Sequence, residues 1–318
     1  MRTFSESAKK ERILRIVKYL IVIGGATATG KTALAIQLAR HFNTEILSAD
    51  SRQFYRGMSI GTAKPNAAEL AAAPHHFIDS LDVTQTYSVG DFERDALLCL
   101  DKIFETKSVA IVSGGSGLYL RTLCEGMDQF PEIPETVKAQ VDAEMERGGL
   151  SWLQTTLSNL DPTYYAEVDR QNPARMRRAL EVCIAAGQPY SSFRAGAKVQ
   201  RPFQPLYVLL DVPRPRLYAR IDARVLEMVD AGLEDEARSL LPYRDLSALR
   251  TVGYEEFFEY FDGNISRVEA IDKIQQHSRN YAKRQATWFK KHGNWQTFDP
   301  TDTEKVIQYL EAQMAVSS

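Results

Sequence analysis

The sequence predicts an α/β protein: a parallel sheet flanked by helices and interrupted by an all-helical insertion. Three observations predict it. An apolar, β-branched run, Tyr19-Leu20-Ile21-Val22-Ile23, leads into Gly25-Ala26-Thr27-Ala28-Thr29-Gly30-Lys31-Thr32, and a helical pattern of Ala33, Leu34, Ile36, Leu38 and Ala39 follows. Strand, G-x4-G-K-T and helix, in that order, form a P-loop. Further strand-like runs at 45–49, 109–112 and 206–211 alternate with helical stretches, as in a parallel sheet with crossover helices. Between Phe130 and Phe203 the texture changes to helical runs without a strong strand, with Pro131 and Pro134 before them and Pro202 and Pro205 after.

These breaks divide the chain. A P-loop NTPase-like core with C-terminal helices is expected over 19–129 and 204–318, the insertion over 130–203, and a short lead over 1–18. The lead carries Arg2, Lys9, Lys10, Arg12, Arg15 and Lys18 but no clear signal-peptide core. With 318 residues, 44% hydrophobic and 25% charged, the chain has the composition of a soluble globular protein. A net charge of −2 excludes wholesale basicity, so any RNA site must be a local patch. Cys99, Cys124 and Cys183 match no disulfide framework or metal clip, which points to a reducing, cytoplasmic setting. No apolar run is long enough to span a membrane. The histidines form no zinc pattern, and His75-His76 is read as structural.

The P-loop residues select a polyphosphate. Gly25 and Gly30 let the backbone curl so that several N–H groups, from Thr27 to Thr32, face one point. The helix N-terminus adds about half a positive charge there. Lys31 adds a full charge, and the Thr32 hydroxyl is the usual Mg2+ ligand. ATP is the default occupant, and a diphosphate on another carrier suits the same cradle.

The other strand ends narrow the choice. The second strand delivers Asp50-Ser51-Arg52-Gln53 to the sheet edge that holds the P-loop, so Asp50 is a candidate to face whatever lies beside the phosphates, the alternative being a helix-capping or solvated Asp. Residues 76–79 read as a further short strand and 91–105 as a helix. The run Val109–Val112 ends in Ser113-Gly114-Gly115-Ser116-Gly117, where an ATPase usually carries a metal-holding Asp. Two glycines there allow close backbone approach to a ligand, and the missing acid weakens motor-ATPase and GTPase readings. Within the insertion, helices are expected over 137–147, 151–160 and 173–186, with Arg170, Arg175, Arg177 and Arg178 clustered for a polyanion or for pairing with Glu181. Arg216, Arg220 and Arg224 fall on one helical face, either to clamp a phosphate or to pair with Asp222 and Glu227. A long helix over 272–291 interleaves Arg279, Lys283 and Lys290 with aromatics, a pattern suited to RNA. Tyr281, Trp288 and Phe289 are themselves expected in the core. Residues 295–298 read as an edge strand.

The ordered runs GATATGKT, SADSRQFYRGMSIGTAKP, PHHFID, YSVGDF, VSGGSGLYLRTL, ARMRRALEV, RIDARVLEMVDAGLEDE, RTVGYEE and YAKRQATWF strongly resemble bacterial tRNA dimethylallyltransferases, also called tRNA isopentenyltransferases. The resemblance covers about residues 20–290. Departures are small: Ala26, Thr29 and Ser116 replace usual Pro, Ser and Thr, and Gln171-Asn172-Pro173-Ala174-Arg175 replaces a usual N-D-P-Q-R.

The resemblance implies transfer of a dimethylallyl group from dimethylallyl diphosphate to N6 of adenine 37 in tRNA, releasing diphosphate, with Mg2+ assisting. It implies that Asp50 is the base that takes the amine proton. Gly25, Thr27, Ala28, Thr29, Gly30, Lys31 and Thr32, with Arg220 and Arg224, would hold the diphosphate. Asp50, Ser51, Arg52, Gln53, Ser116, Lys138, Ala174, Arg175, Met176, Arg177, Arg178, Arg250, Gly253 and Tyr254 would contact tRNA, whose adenine is extruded into a channel. The insertion would grip the anticodon stem-loop. A monomer is expected. An adenylate isopentenyltransferase, a small-molecule P-loop kinase and a non-catalytic RNA-binding module are the alternatives.

Overall fold

The computed structural model describes residues 17–194, 196 and 199–316; the lead expected over 1–18 lies outside them except for Val17 and Lys18. In chain order the first unit builds β1 (Tyr19–Gly25), α1 (Lys31–His41), β2 (Ile46–Ser48), α2 (Ala67–Ala72), β3 (His75–His76), α3 (Val89–Thr106), β4 (Val109–Gly114) and α4 (Gly117–Glu125). A helical unit follows with α5 (Glu135–Leu160), α6 (Pro162–Glu167) and α7 (Pro173–Ala186). The chain then returns to the first unit with β5 (Gln204–Leu210), α8 (Arg214–Asp230), α9 (Leu233–Leu240), α10 (Glu255–Phe261), α11 (Arg267–Lys291), β6 (Gln296–Phe298) and α12 (Thr303–Val316). The division falls at Glu125 and Gln200, slightly before the proline-marked limits of 130 and 203. No described helix is long and apolar enough to cross a membrane.

Among the described residues six strands form one parallel sheet, in the order β3-β2-β4-β1-β5-β6. β1 is central and buried on both faces, which is why it reads as a continuous apolar run. Leu20 and Val22 pack on one face with Phe92 of α3, Leu120 of α4 and Phe289 of α11. Tyr19, Ile21 and Ile23 pack on the other with Leu34 and Leu38 of α1 and Leu310 of α12. Each such buried side chain stabilises the fold by about 1.5–3 kcal/mol. β1 is flanked by β4 and β5, so its C-terminal end opens between their C-terminal ends. The third strand is shorter and earlier than expected, His75–His76, where His76 Nε2 meets Glu45 at 2.7 Å.

The helical unit has its own core of Val141, Leu153, Leu157, Met176, Ala179 and Leu180. The two helices expected over 137–147 and 151–160 are one element broken at Gly149, whose φ of 60° only glycine adopts without strain. Asp161 caps α6 through the Tyr164 N–H and accepts from both the N–H and the hydroxyl of Ser191.

Candidate active site

The P-loop turns between β1 and α1. Gly25 (φ 153°) lies under Leu210 of β5, and a Cβ there would meet the Leu210 carbonyl at 2.9 Å. Gly30 (φ 91°) starts α1, and Ala28 holds a left-handed φ of 62° within the loop. Thr29 is buried and donates its hydroxyl to the Ala26 carbonyl at 2.8 Å, so it shapes the loop from beneath. Lys31 Nζ donates to the same carbonyl at 2.7 Å. Burial pulls Lys31 down to about 8; Asp50 opposes the shift and Arg224 reinforces it. Arg224 reaches the Thr27 hydroxyl at 3.3 Å.

A cavity of about 600 Å³ opens at this sheet edge. Thr27, Ala28, Gly30, Lys31 and Thr32 line it, together with Arg220 and Arg224 of α8. Asp50, Arg52 and Gln53 line it from the end of β2, and Gly253 from the turn before α10. The cavity thus combines the phosphate-type cradle with the Asp50 carboxylate. Asp50 Oδ1 accepts from the Arg52 N–H at 3.0 Å. Gln53 donates to the carbonyls of Thr62 and Ala63, and Ser51 N–H donates to Ser116 Oγ at 3.3 Å. Arg52 is tied to the Arg250 carbonyl at 3.3 Å, and Arg250 itself is exposed.

Other expected site residues fall elsewhere. Tyr254 is buried, with its hydroxyl on Glu236 at 2.7 Å, so its ring supports the site from below. Met176 is buried in the helical unit because helical spacing turns it inward between exposed Arg175 and half-buried Arg177. Neither can touch a nucleic acid in this conformation. Arg177 pairs with Asp142 and Glu181, at 2.9 and 2.8 Å, and Lys138 pairs with Glu135 at 2.9 Å. Ala174, Arg175 and Arg178 remain exposed. Arg216 leaves the expected clamp for Asp299 at 3.4 Å, since the start of α8 faces the strand end after β6.

Three features were not read from the sequence. Gln285 of α11 is buried; its Oε1 accepts from the Thr27 N–H at 2.8 Å and its Nε2 donates to the Gly115 carbonyl at 3.0 Å. Glu236 accepts from the backbone N–H groups of Ser59, Ile60 and Gly61, all within 2.9 Å, and so fixes a loop of the cavity wall. Tyr281, expected in the core, lines the cavity, and burial with Asp50 nearby pushes it up to about 12. Gly114 and Gly115 line the cavity, as two glycines at this strand end lead one to expect. Gly114 also admits protein backbone, since a Cβ there would lie 2.2 Å from the Ala49 carbonyl.

With this geometry in place, similarity to known proteins is decisive. The family model described as IPP transferase matches residues 53–292. The chain belongs to the IPP transferase family. Among the family's members, the tRNA dimethylallyltransferase of Christiangramia forsetii is 47% identical, over 93% of this chain and 98% of that one. The tRNA dimethylallyltransferase 1 of Bacteroides thetaiotaomicron is 42% identical, over 92% and 96%. The crystal structure of a tRNA isopentenylpyrophosphate transferase from Bacillus halodurans has a TM-score of 0.70 at 34% identity, covering 94% of this chain and 97% of that one. A eukaryotic dimethylallyltransferase captured acting on tRNA has a TM-score of 0.77 at 26% identity, covering 90% and 75%.

Proposed function

We propose that this protein transfers the dimethylallyl group of dimethylallyl diphosphate to N6 of adenine 37 in tRNA, releasing diphosphate. One observation carries the reading at the level of the site: a single cavity holds a P-loop cradle and a strand-end carboxylate, without an acidic residue at the end of β4. The cradle suits a diphosphate that leaves. The carboxylate suits an exocyclic amine that must lose a proton.

In this reading Lys31, the loop amides and Arg224 hold the diphosphate, with Arg220 at the cavity rim. The adenine amine attacks C1 of the allyl group, the C1–O bond breaks, and its electron pair leaves with the diphosphate. Asp50 accepts the amine proton. Lys31 and Arg224 stabilise the charge that grows on the leaving oxygen. Tyr281 and Gln53 shape the wall beside Asp50. Among the described residues no group of three or more His, Cys, Asp or Glu is placed to hold a metal alone. This fits Mg2+ held by the Thr32 hydroxyl and by substrate phosphates, the usual mode for that ion. When bound, Mg2+ supplies charge neutralisation of the diphosphate.

Arg175 and Arg178, exposed on α7, are the basic residues proposed to meet the phosphates of the anticodon stem-loop. We infer that it acts as a monomer.

The test is a transfer assay with labelled dimethylallyl diphosphate and Mg2+, offered either an anticodon stem-loop or free AMP. Label on the stem-loop alone is the expected result. Label on AMP would move the protein to adenylate prenylation, and ATP consumption without transfer would make it a kinase.

A further inference from the structure

We propose that Gln285 is a positioning residue that holds the P-loop in register with the β4–α4 turn, and that Gly115 is glycine in order to admit it. The inference deepens the transfer reading above and rests on it.

Gln285 touches both halves of the site at once. Its carbonyl oxygen accepts from the Thr27 N–H, and the Thr27 hydroxyl meets Arg224, so one end of the amide is bound to the donor cradle. Its amide nitrogen donates to the Gly115 carbonyl, next to Ser116, whose hydroxyl accepts from the Ser51 N–H beside Asp50. The other end is therefore bound to the acceptor side. A primary amide alone supplies an acceptor and a donor at this length. A Glu here would set a carboxylate against the Gly115 carbonyl, and a Met would satisfy neither group.

The surrounding packing prevents the helix from compensating. A Cβ on Gly115 would lie 2.2 Å from Gln285 Nε2. One turn further along α11, Trp288 covers Gly117 and Phe289 covers Gly24, where a Cβ would lie 2.1 and 2.7 Å away. Three glycines of β1 and the β4–α4 turn thus receive three successive side chains of one helix face. The helix cannot slide without clashes, so the two peptide groups it joins keep a fixed separation. Transfer needs the attacking nitrogen aligned with the breaking C1–O bond, and small misplacements there are costly.

The test compares the wild type, Gln285→Met, Gly115→Ala and the double variant. Each is checked for a cooperative melt, then measured for binding of inorganic diphosphate with Mg2+ and for transfer to the stem-loop. Gln285→Met should lower kcat about a hundredfold with the KM for tRNA unchanged. It should weaken diphosphate binding about tenfold, because the Thr27 backbone, whose hydroxyl meets Arg224, loses its anchor. Gly115→Ala should reproduce both losses by displacing the amide, and the double variant should be no worse than either single one. Wild-type behaviour of Gln285→Met, or losses that multiply in the double variant, would overturn the proposal. If Gln285→Met does not fold, Gly115→Ala decides alone: unchanged kcat and diphosphate binding overturn the proposal. A wild type that binds diphosphate but transfers nothing would sink the functional reading, and the four diphosphate affinities would still decide this one.

Discussion

The two units hold their polar residues in opposite ways. In the α/β unit, cavity residues are fixed by partners far away in sequence: Thr27 by buried Gln285, and the Ser59–Gly61 backbone by half-buried Glu236. In the helical unit, Arg177 and Lys138 are held by local pairs on or beside their own helices, and Arg175 and Arg178 stand exposed. The first arrangement is preorganised and rigid, as bond-making requires. The second is solvated and adaptable, as suits phosphates met by charge more than by shape. Substitutions should therefore separate the units by what they damage.

The largest effect is expected at Asp50. Asp50→Ala should reduce transfer about a thousandfold while stem-loop affinity, measured by filter binding, stays within about tenfold. Near-normal turnover by this variant would remove Asp50 from the chemistry and erase much of the contrast.

Lys31 comes next and carries a pH signature. In the free site its ammonium is held down to about 8, so it is cationic below that pH and neutral above it. Diphosphate binding favours the cation, so kcat/KM for the donor should fall as pH rises through about 8. The stability effect has the opposite sign. Between about 8 and the ordinary 10.5 the unfolded chain retains a proton that the folded one has lost, so stability rises with pH across that window. Lys31→Met should remove the break in the rate profile and raise stability at pH 7 by on the order of 2 kcal/mol in urea titrations. A rate profile that keeps its break in Lys31→Met would assign the titration to another group.

The smallest effects belong to the helical unit. Arg175→Ala and Arg178→Ala should leave the melting temperature unchanged and flatten the plot of log affinity against log salt by about 0.7–0.9 per residue. An unchanged slope would mean that these exposed guanidiniums meet no phosphate, and the contrast between the units would need another explanation.

Legibility from sequence follows the same divide between local and remote contacts. β1, the P-loop and α1 are contiguous, so spacing alone reveals them, and Asp50 follows from its place at a strand end. Gln285 and Glu236 were not legible because their partners lie 258 residues and up to 177 residues away. The burial of Tyr254 and Met176 was not legible for a related reason. Both sit inside family motifs, yet a motif gives order along the chain, whereas burial is set by what packs across from it. Tyr281 erred the other way: an aromatic on a long helix suggests core, and only the fold shows that this turn of α11 borders the cavity.

The tie between Thr27 and Gln285 also bears on synthesis of the chain. Every P-loop residue has been translated by position 32, but the strand that covers Gly25 arrives only with Leu210, and the amide that holds Thr27 only with Gln285. A nascent or truncated chain ending before α11 therefore carries the whole nucleotide-type motif without an assembled donor site. Such a chain would keep the motif but lack the bond from the Thr27 N–H to Gln285 that holds its loop.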